Sequence, residues 1–416
     1  MKNFKRCDFE IMAPVGSRES LWAAINAGAD SVYFGVEGLN MRSRSSANFT
    51  LNDLREIADI CHSHDVKSYL TLNTVIYDED LPKVDEILFA CKEAGISAVI
   101  ASDQAVIERA REIGVAIHIS TQCNVTNIVA VKHYAEFADV VVLARELNLD
   151  QVKKIHNEII SQNITGPSGN PVRIEMFCHG ALCLAVSGKC YLSLHLMNQS
   201  ANRGACTQIC RRGYDVRDRE TSEQLSVENN YIMSPKDLKT IRFLDKMIEA
   251  GVRVFKIEGR ARGTEYVAKT VKCYSEALEA ILDGSFTEVR KSVWDNELTK
   301  IFNRGFWDGY YQGARLGEWS EKYGSSATRT KFYCAKALRY YPKLGVGEFL
   351  LESGELRPDE EVLVIGPSTG VLEFKVKELR LDRDPEPVIH KGQIFSLPVP
   401  SKIRPGDKLY KWTINA

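Results

Sequence analysis

The chain has no excess of charge of either sign. Its 416 residues carry 54 lysines and arginines against 55 aspartates and glutamates, a formal net charge of −1. That balance excludes a polyelectrolyte mode of nucleic-acid binding, so any grip on phosphate has to come from a local basic patch. There is no uncharged apolar run of about 18 residues, the length of a membrane span, and the opening MKNFKRCDFEIMAP lacks the apolar stretch of a signal peptide. A cytoplasmic protein with no membrane partner is expected. No low-complexity tract or internal repeat is present, and 44% of the residues are hydrophobic, an ordinary globular composition. No H-E-x-x-H occurs, which removes thermolysin-type zinc chemistry. The one nucleophile-elbow lookalike, Gly366-Pro-Ser368-Thr-Gly370, lies between VLVI and VLEF. That predicts a hairpin turn, whereas the elbow needs a strand followed by a helix.

What the chain does have is a concentration of cysteine. Five of its eleven thiols fall within residues 175–210, EMFCHGALCLAVSGKCYLSLHLMNQSANRGACTQIC. In a reducing compartment such crowding points to metal ligation or catalysis rather than disulfides. Cys183, Cys190, Cys206 and Cys210 are spaced C-x6-C-x15-C-x3-C. Four thiolates saturate either a tetrahedral zinc or the four irons of a 4Fe–4S cluster. The loose first pair favours the cluster, with zinc and buried unligated thiols as the alternatives. Cys178, inside an apolar strand pattern, reads as a core residue, and the six scattered cysteines read as small buried hydrophobes.

Short apolar runs alternate with amphipathic helical stretches. Strands are predicted at 10–15, 31–36, 67–75, 98–102, 116–121, 140–144, 173–178 and 253–257, and several intervening helices close on Gly28, Gly95, Gly114 and Gly251. Eight β/α alternations predict a mixed α/β chain folded as a (β/α)8 TIM-like barrel over residues 1–281. The rhythm breaks once. Residues 179–233 form an insertion holding the four spaced cysteines, before a helix predicted over 234–251. The insertion follows a strand's C-terminal end, the face on which such barrels place active sites. A helical and loop connection spans 282–328, and short strands between Gly, Pro and Asp turns predict a small all-β barrel over 329–416.

Polar residues stand at the predicted strand ends: Asn73, Asp103, Gln122, Arg145, Glu146, His179, Glu258 and Arg260. Asp103 is as readily a helix cap as a functional group. The arginines suit bidentate recognition of carboxylates, with ion pairs to Glu146 or Glu258 as the structural alternative. His179 is a candidate proton donor or acceptor.

The run Glu175-Met-Phe177-Cys-His-Gly180-Ala181-Leu182-Cys183, followed by Gly188-Lys-Cys190-Tyr-Leu192-Ser193, resembles the signature of the peptidase U-32 family, E-x-F-x2-G-[SA]-[LIVM]-C-x4-G-x-C-x-[LIVM]-S, at every fixed position. Despite its name, that family includes oxygen-independent hydroxylation enzymes carrying a 4Fe–4S cluster. The resemblance implies hydroxylation of tRNA wobble uridine to 5-hydroxyuridine with prephenate as the oxygen source. Hydroxylation of a 23S rRNA cytidine is the sister reading. Carried over residue by residue, it makes Cys183, Cys190, Cys206 and Cys210 the cluster ligands. His179, Arg145, Glu146 and Glu258 become the catalytic candidates, and Arg260, Asn73, Gln122 and Asp103 the candidates for binding the co-substrate. Arg42, Arg44, Arg203, Arg211, Arg212 and Arg262, concentrated in MRSRSS, ANRGAC, CRRGYDVRDRE and KIEGRARG, are candidates for RNA phosphates. Tyr214 and the FWDGYY aromatics are candidates for stacking a base. The C-terminal strands resemble the second domain of translational GTPases. A collagenase-like peptidase and a zinc-stabilised RNA-binding module are the alternatives from other classes.

Overall fold

The computed structural model describes residues 4–43, 49–217, 219–221, 224–225, 231–382 and 384–415. Seven parallel strands run in chain order: β1 (Glu10–Pro14), β2 (Ser31–Phe34), β3 (Lys67–Leu72), β4 (Ala98–Ala101), β5 (Ile117–Ile119), β6 (Val140–Val142) and β7 (Arg173–Ala181). A short hairpin, β8 (Val216–Arg217) with β9 (Gln224–Leu225), and β10 (Asp237–Lys239) precede β11 (Val252–Ile257). β11 pairs in parallel with both β1 and β7, which closes an eight-stranded barrel. All eight strands predicted from the apolar runs are the staves of that barrel.

Between the staves lie α1 (Arg18–Asn26), α2 (Leu54–Ser63), α3 (Leu81–Ala94), α4 (Gln104–Ile113), α5 (Ile128–Ala135) and α6 (Leu149–Ser161). Gly95 and Gly114 cap α3 and α4 in the left-handed region, at φ 79° and 83°. Their lack of a Cβ is what makes that conformation cheap. Within the insertion, α7 (Leu192–Met197) is a short helix. Residues 234–251 depart from the expected single helix. β10 runs antiparallel to the last residues of β7, and only α8 (Leu244–Glu249) is α-helical. The sequence DLK there pairs with exposed backbone that β7 offers beyond the barrel, and tertiary pairing overrides the local helical pattern. α8 packs on the closing strand, α9 (Thr264–Asp283) packs against α1 and β1, and α10 (Glu288–Thr299) leads to β12 (Phe306–Trp307), which pairs in parallel with β10.

The C-terminal segment forms an eight-stranded antiparallel sheet around its own apolar core, which includes Cys334, Phe349, Val362, Phe395 and Leu409. Its long strand β13 (Arg329–Tyr341) pairs with β14 (Val346–Leu351) and with the last strand, Lys408–Ile414. After the short β15 (Glu355–Leu356), the sheet edge is the hairpin β16 (Glu361–Gly366) and β17 (Gly370–Lys375). Its turn is the GPSTG sequence. Thr369 Oγ1 donates to Asp407 Oδ2 at 2.6 Å, and an added Cβ on Gly370 would lie 2.9 Å from the Ala23 backbone of α1. Ser368 therefore sits in the turn that seats the sheet on the barrel.

Candidate functional site

The barrel interior is not uniformly apolar. Met12, Tyr33, Tyr69, Ile100, Val140 and Val254 pack together, and among them run buried charges. Glu10 accepts from Tyr69 Oη at 2.8 Å and from Lys67 and Arg173 at the barrel's lower rim. Higher up, Lys256 Nζ donates to Glu175 Oε1 at 2.7 Å, and His118 Nδ1 lies 3.6 Å from Glu175 Oε2. Burial alone would raise the Glu175 carboxyl, but Lys256 and His118 outweigh it and hold it below the usual range. Lys256 also sits 4.6 Å over the Tyr33 ring, where the cation meets the ring's negative face.

Above Lys256 opens a cavity of about 1030 Å³, its mouth included. The strand ends supply Asn73, Gln122, Arg145, Glu258 and Arg260 to its wall, while the insertion supplies Cys183, Cys190, Cys206 and Cys210. Two bodies of sequence separated by the β7 junction thus line one space. The junction explains most fixed positions of the signature. Glu175 anchors Lys256, and the Phe177 ring lies 4.5 Å under the Arg145 guanidinium. Gly180, at φ 107°, passes so close to the Glu258 carbonyl that an added Cβ would stand 2.5 Å from it. Gly188 leaves room for Gln122 in the same way, and Ser193 Oγ accepts from the Thr207 amide, beside Cys206, at 3.0 Å.

The charged side chains of the mouth hold one another. Arg42 pairs with Glu258 at 3.0 Å, both largely shielded from solvent. Burial would push the Glu258 carboxyl up, but Arg42, Arg262 and Arg145 hold it down at about 2, so it stays ionised and donates no proton. Arg260 donates to Asn40 Oδ1 at 3.1 Å and to Thr71 Oγ1 at 2.8 Å, and burial lowers its own pKa to about 10. Arg145 donates to the Ala181 carbonyl and to Ser187 Oγ. Both guanidiniums are positioned by hydrogen bonds to neutral oxygens, with Glu258 the nearby counter-charge.

Other predicted residues fall elsewhere. His179 points away from the cavity into a buried box of Tyr266, Tyr274 and Phe306. Burial, with Lys239 and Arg262 nearby, lowers its pKa to about 3, so it is neutral. Glu146 is exposed beside the cavity rather than in it. Asp103 caps α4, accepting from the Ala105 amide at 3.0 Å, and also accepts from Ile76 N. Arg203 pairs with Asp80 and stacks on Tyr77, which pins the insertion to the loop after β3. Arg211 donates to the Leu182 and Pro235 carbonyls and is a staple of the insertion. Arg212 stands exposed, Arg262 faces Asp237, and Arg44 lies outside the described residues. Of the aromatics, Tyr214 donates to the Ile209 carbonyl, Trp307 to Lys236 O and Tyr311 to Phe177 O. Those hydrogen bonds spend their polar ends on backbone, and the rings hold the segment against β7. Lys256, Glu175 and Tyr33 were missed as site residues. A charge embedded in an apolar strand, as in RIEMF and VFKI, was the available signal.

Burial raises the Cys210 thiol, Arg211 opposes this, and Cys183, Cys206 and Cys190 raise it further. Thiolates that repel one another at one wall are stabilised by a shared cationic group. Neither histidine nor aspartate lines this cavity among the described residues. Among the described residues, no three His, Cys, Asp or Glu side chains stand close enough together to hold a single metal ion. A lone zinc, with Zn–S of about 2.3 Å, draws its four sulfurs to within about 4 Å of each other. Four thiols lining one cavity are a donor set that a sulfur-ligated group accepts.

Comparison with known proteins places the chain among sequence relatives. The family model described as "Peptidase family U32" matches residues 16–321. A Porphyromonas gingivalis protein named "Collagenase" is 61% identical over 97% of this chain and 98% of its own length. The Bacillus subtilis "tRNA hydroxylation protein P1" is 29% identical over 97% of this chain and 94% of its own. The Escherichia coli "23S rRNA 5-hydroxycytidine C2501 synthase" is 34% identical over 74% of this chain, a match spanning 46% of that protein.

Proposed function

The chain belongs to peptidase family U32, and from that premise we propose that it is an RNA-hydroxylating enzyme of the cytoplasm. Its substrate in this reading is tRNA, converted at the wobble uridine to 5-hydroxyuridine, with prephenate as the source of the hydroxyl group. One observation carries the proposal: the four spaced cysteines and the cations of the barrel mouth line the same cavity. Cys183, Cys190, Cys206 and Cys210 would hold a 4Fe–4S cluster. When bound, such a group supplies electrons for rearranging bonds without dioxygen.

The chain's own residues do the rest. Arg260 and Lys256, at the floor and wall of the cavity, bind the carboxylates of the co-substrate. Asn73 Nδ2 already donates to Ser120 Oγ and Gln122 Oε1, so the Asn73–Gln122 pair presents an ordered amide edge. Glu258 keeps Arg42 in place, and the insertion forms one wall of the cavity. Anaerobically purified protein is expected to be brown and to contain iron and sulfide, and replacing the four cysteines by serine abolishes both. Nucleoside mass analysis of tRNA from a strain lacking the gene is expected to show loss of 5-hydroxyuridine derivatives. If instead a 23S rRNA cytidine loses its hydroxyl, the substrate is the ribosomal one.

Peptide hydrolysis is the reading favoured by a relative named "Collagenase" at 61% identity. The cavity offers it little: among the described residues no histidine lines it, and the one carboxylate there, Glu258, is paired with Arg42. Cleavage of a collagen peptide by the serine variants at the wild-type rate would favour hydrolysis over hydroxylation.

A further inference from the structure

A second lobe opens from the first cavity, sharing with it Cys183, Cys206, Cys210, Gln208, Arg42, Arg145 and Glu258. It spans about 960 Å³, its open mouth included, and among the described residues adds Arg211, Arg262 and Arg304 to the shared Arg42, Arg145 and Glu258. Two of those arginines, Arg262 and Arg304, converge on Asp237, each 3.5 Å from a different carboxylate oxygen. Asp237 is 1% exposed, and neither of its oxygens has a hydrogen-bond partner. The carboxylate therefore holds the two guanidiniums by charge; Arg304 Nη2 also donates to Gln208 Oε1, at a long 3.5 Å. The aromatic ring of Phe302 fixes their planes, lying 3.8 Å beneath Arg262 and 5.3 Å from Arg304.

Arg304 owes its place to β12. The Asp237 amide donates to the Gly305 carbonyl at 2.9 Å, so the residue after Arg304 is tied to the strand that carries Asp237. The first cavity, by contrast, mixes Phe177, Leu184 and Ile209 with the Asn73 and Gln122 amides, the lining a planar base or ring requires. Arg145 and Arg211 are held by neutral oxygens, whereas Arg262 and Arg304 share one carboxylate, so an anion between them would offset the cost of burying the second charge.

We propose that Arg262 and Arg304, held by Asp237, form a phosphodiester site that takes the backbone phosphate of the nucleotide whose base enters the first cavity. The proposal rests on the RNA reading above and makes Arg304 a binding residue and Asp237 a positioning residue. The same donors suit a carboxylate of the small co-substrate, and the test separates the two sources.

The experiment uses iron-loaded full-length protein, a fluorescent single-stranded oligoribonucleotide and a salt series. Arg304→Gln is expected to weaken binding about tenfold and to lower the slope of log Kd against log salt by about 0.7, the loss of one phosphate contact. Arg304→Lys is expected to keep the slope while losing part of the affinity. Unchanged affinity and slope in Arg304→Gln, at unchanged iron content and unfolding midpoint, overturns the phosphate site but not the RNA reading. A raised KM for the carboxylate co-substrate with unchanged RNA affinity overturns it too, in favour of a carboxylate site. If the wild-type protein binds no RNA even at low salt, the RNA reading falls. Inorganic phosphate at constant ionic strength then decides the site alone. A midpoint raised in wild type but not in Arg304→Gln retains an oxyanion site, and no difference removes it.

Discussion

At the scale of single residues, the chemistry is set by who neutralises whom. Glu175 and Lys256 are a buried pair inside the barrel, and each is costly without the other. Lys256→Met is expected to destabilise the protein by about 3–5 kcal/mol in urea unfolding, because it strands the Glu175 carboxylate. Adding Glu175→Gln should recover more than half of that loss while activity stays abolished. A double variant no more stable than the single would show that the pair is not what binds the two strands.

His179 gives a pH prediction of definite sign. Its folded pKa of about 3 lies below its ordinary value of 6.5, so the unfolded chain takes up a proton that the native one refuses. Stability is complete above pH 6.5 and falls as the pH drops toward 3, by about 1.4 kcal/mol per unit. Replacing His179 by Gln is expected to flatten the stability profile between pH 6.5 and 5. Part of the slope remains through His156, which burial and Arg253 also lower. Glu10, held at about 2 against its usual 4.5, acts only below that window.

At the scale of elements, β7 is the hinge between two kinds of structure. Residues up to His179 close the barrel with β11, and His179 to Ala181 pair with β10. Gly180 makes the transition possible at φ 107° in contact with Glu258. Gly180→Ala forces both a strained backbone and a shift of the Glu258 segment. The expected result is a loss of about 2–3 kcal/mol. Iron per chain should drop by more than half, because Cys183 follows three residues later. Full iron content in that variant would detach the glycine from the cysteine site. Arg203 and Arg211 belong to this scale as well. The sequence marked them as basic residues beside the active face, whereas the structure spends them on Asp80 and on backbone carbonyls. Basicity is legible in a sequence, but whether a guanidinium faces solvent or a carbonyl depends on chain segments more than 20 residues away.

At the scale of the whole molecule, the C-terminal sheet is seated on the barrel by the GPSTG turn and by two ion pairs, Lys331 with Glu265 and Lys269 with Glu373. Gly370 meets the α1 backbone and takes a positive φ of 69°. Gly370→Val is expected to split the thermal unfolding of the chain into two calorimetric transitions while leaving iron content unchanged. A single transition at a lower temperature would mean that the two parts fold as one unit regardless of this seat. No helix among the described residues is long and apolar enough to cross a membrane.

The eight barrel strands were legible because each is a short buried run between a helix and a turn, a local pattern that fold context rarely reverses. The cysteine spacing was legible for the same reason, and it named the four thiols that line the cavity. Local pattern failed at residues 234–251, where a helical stretch gave way to a strand because β7 had unpaired backbone to offer. It also failed at His179 and the FWDGYY aromatics, whose burial is decided by distant neighbours. Sequence alone settled periodicity, the spacing of sulfur and the balance of charge, all properties of residues near one another along the chain. The tertiary structure alone decided which arginines meet a carboxylate and which a carbonyl. It also brought Lys256, Asp237 and Arg304 to the site. Electrostatic energy depends on distance and burial in space, and the chain's order specifies neither.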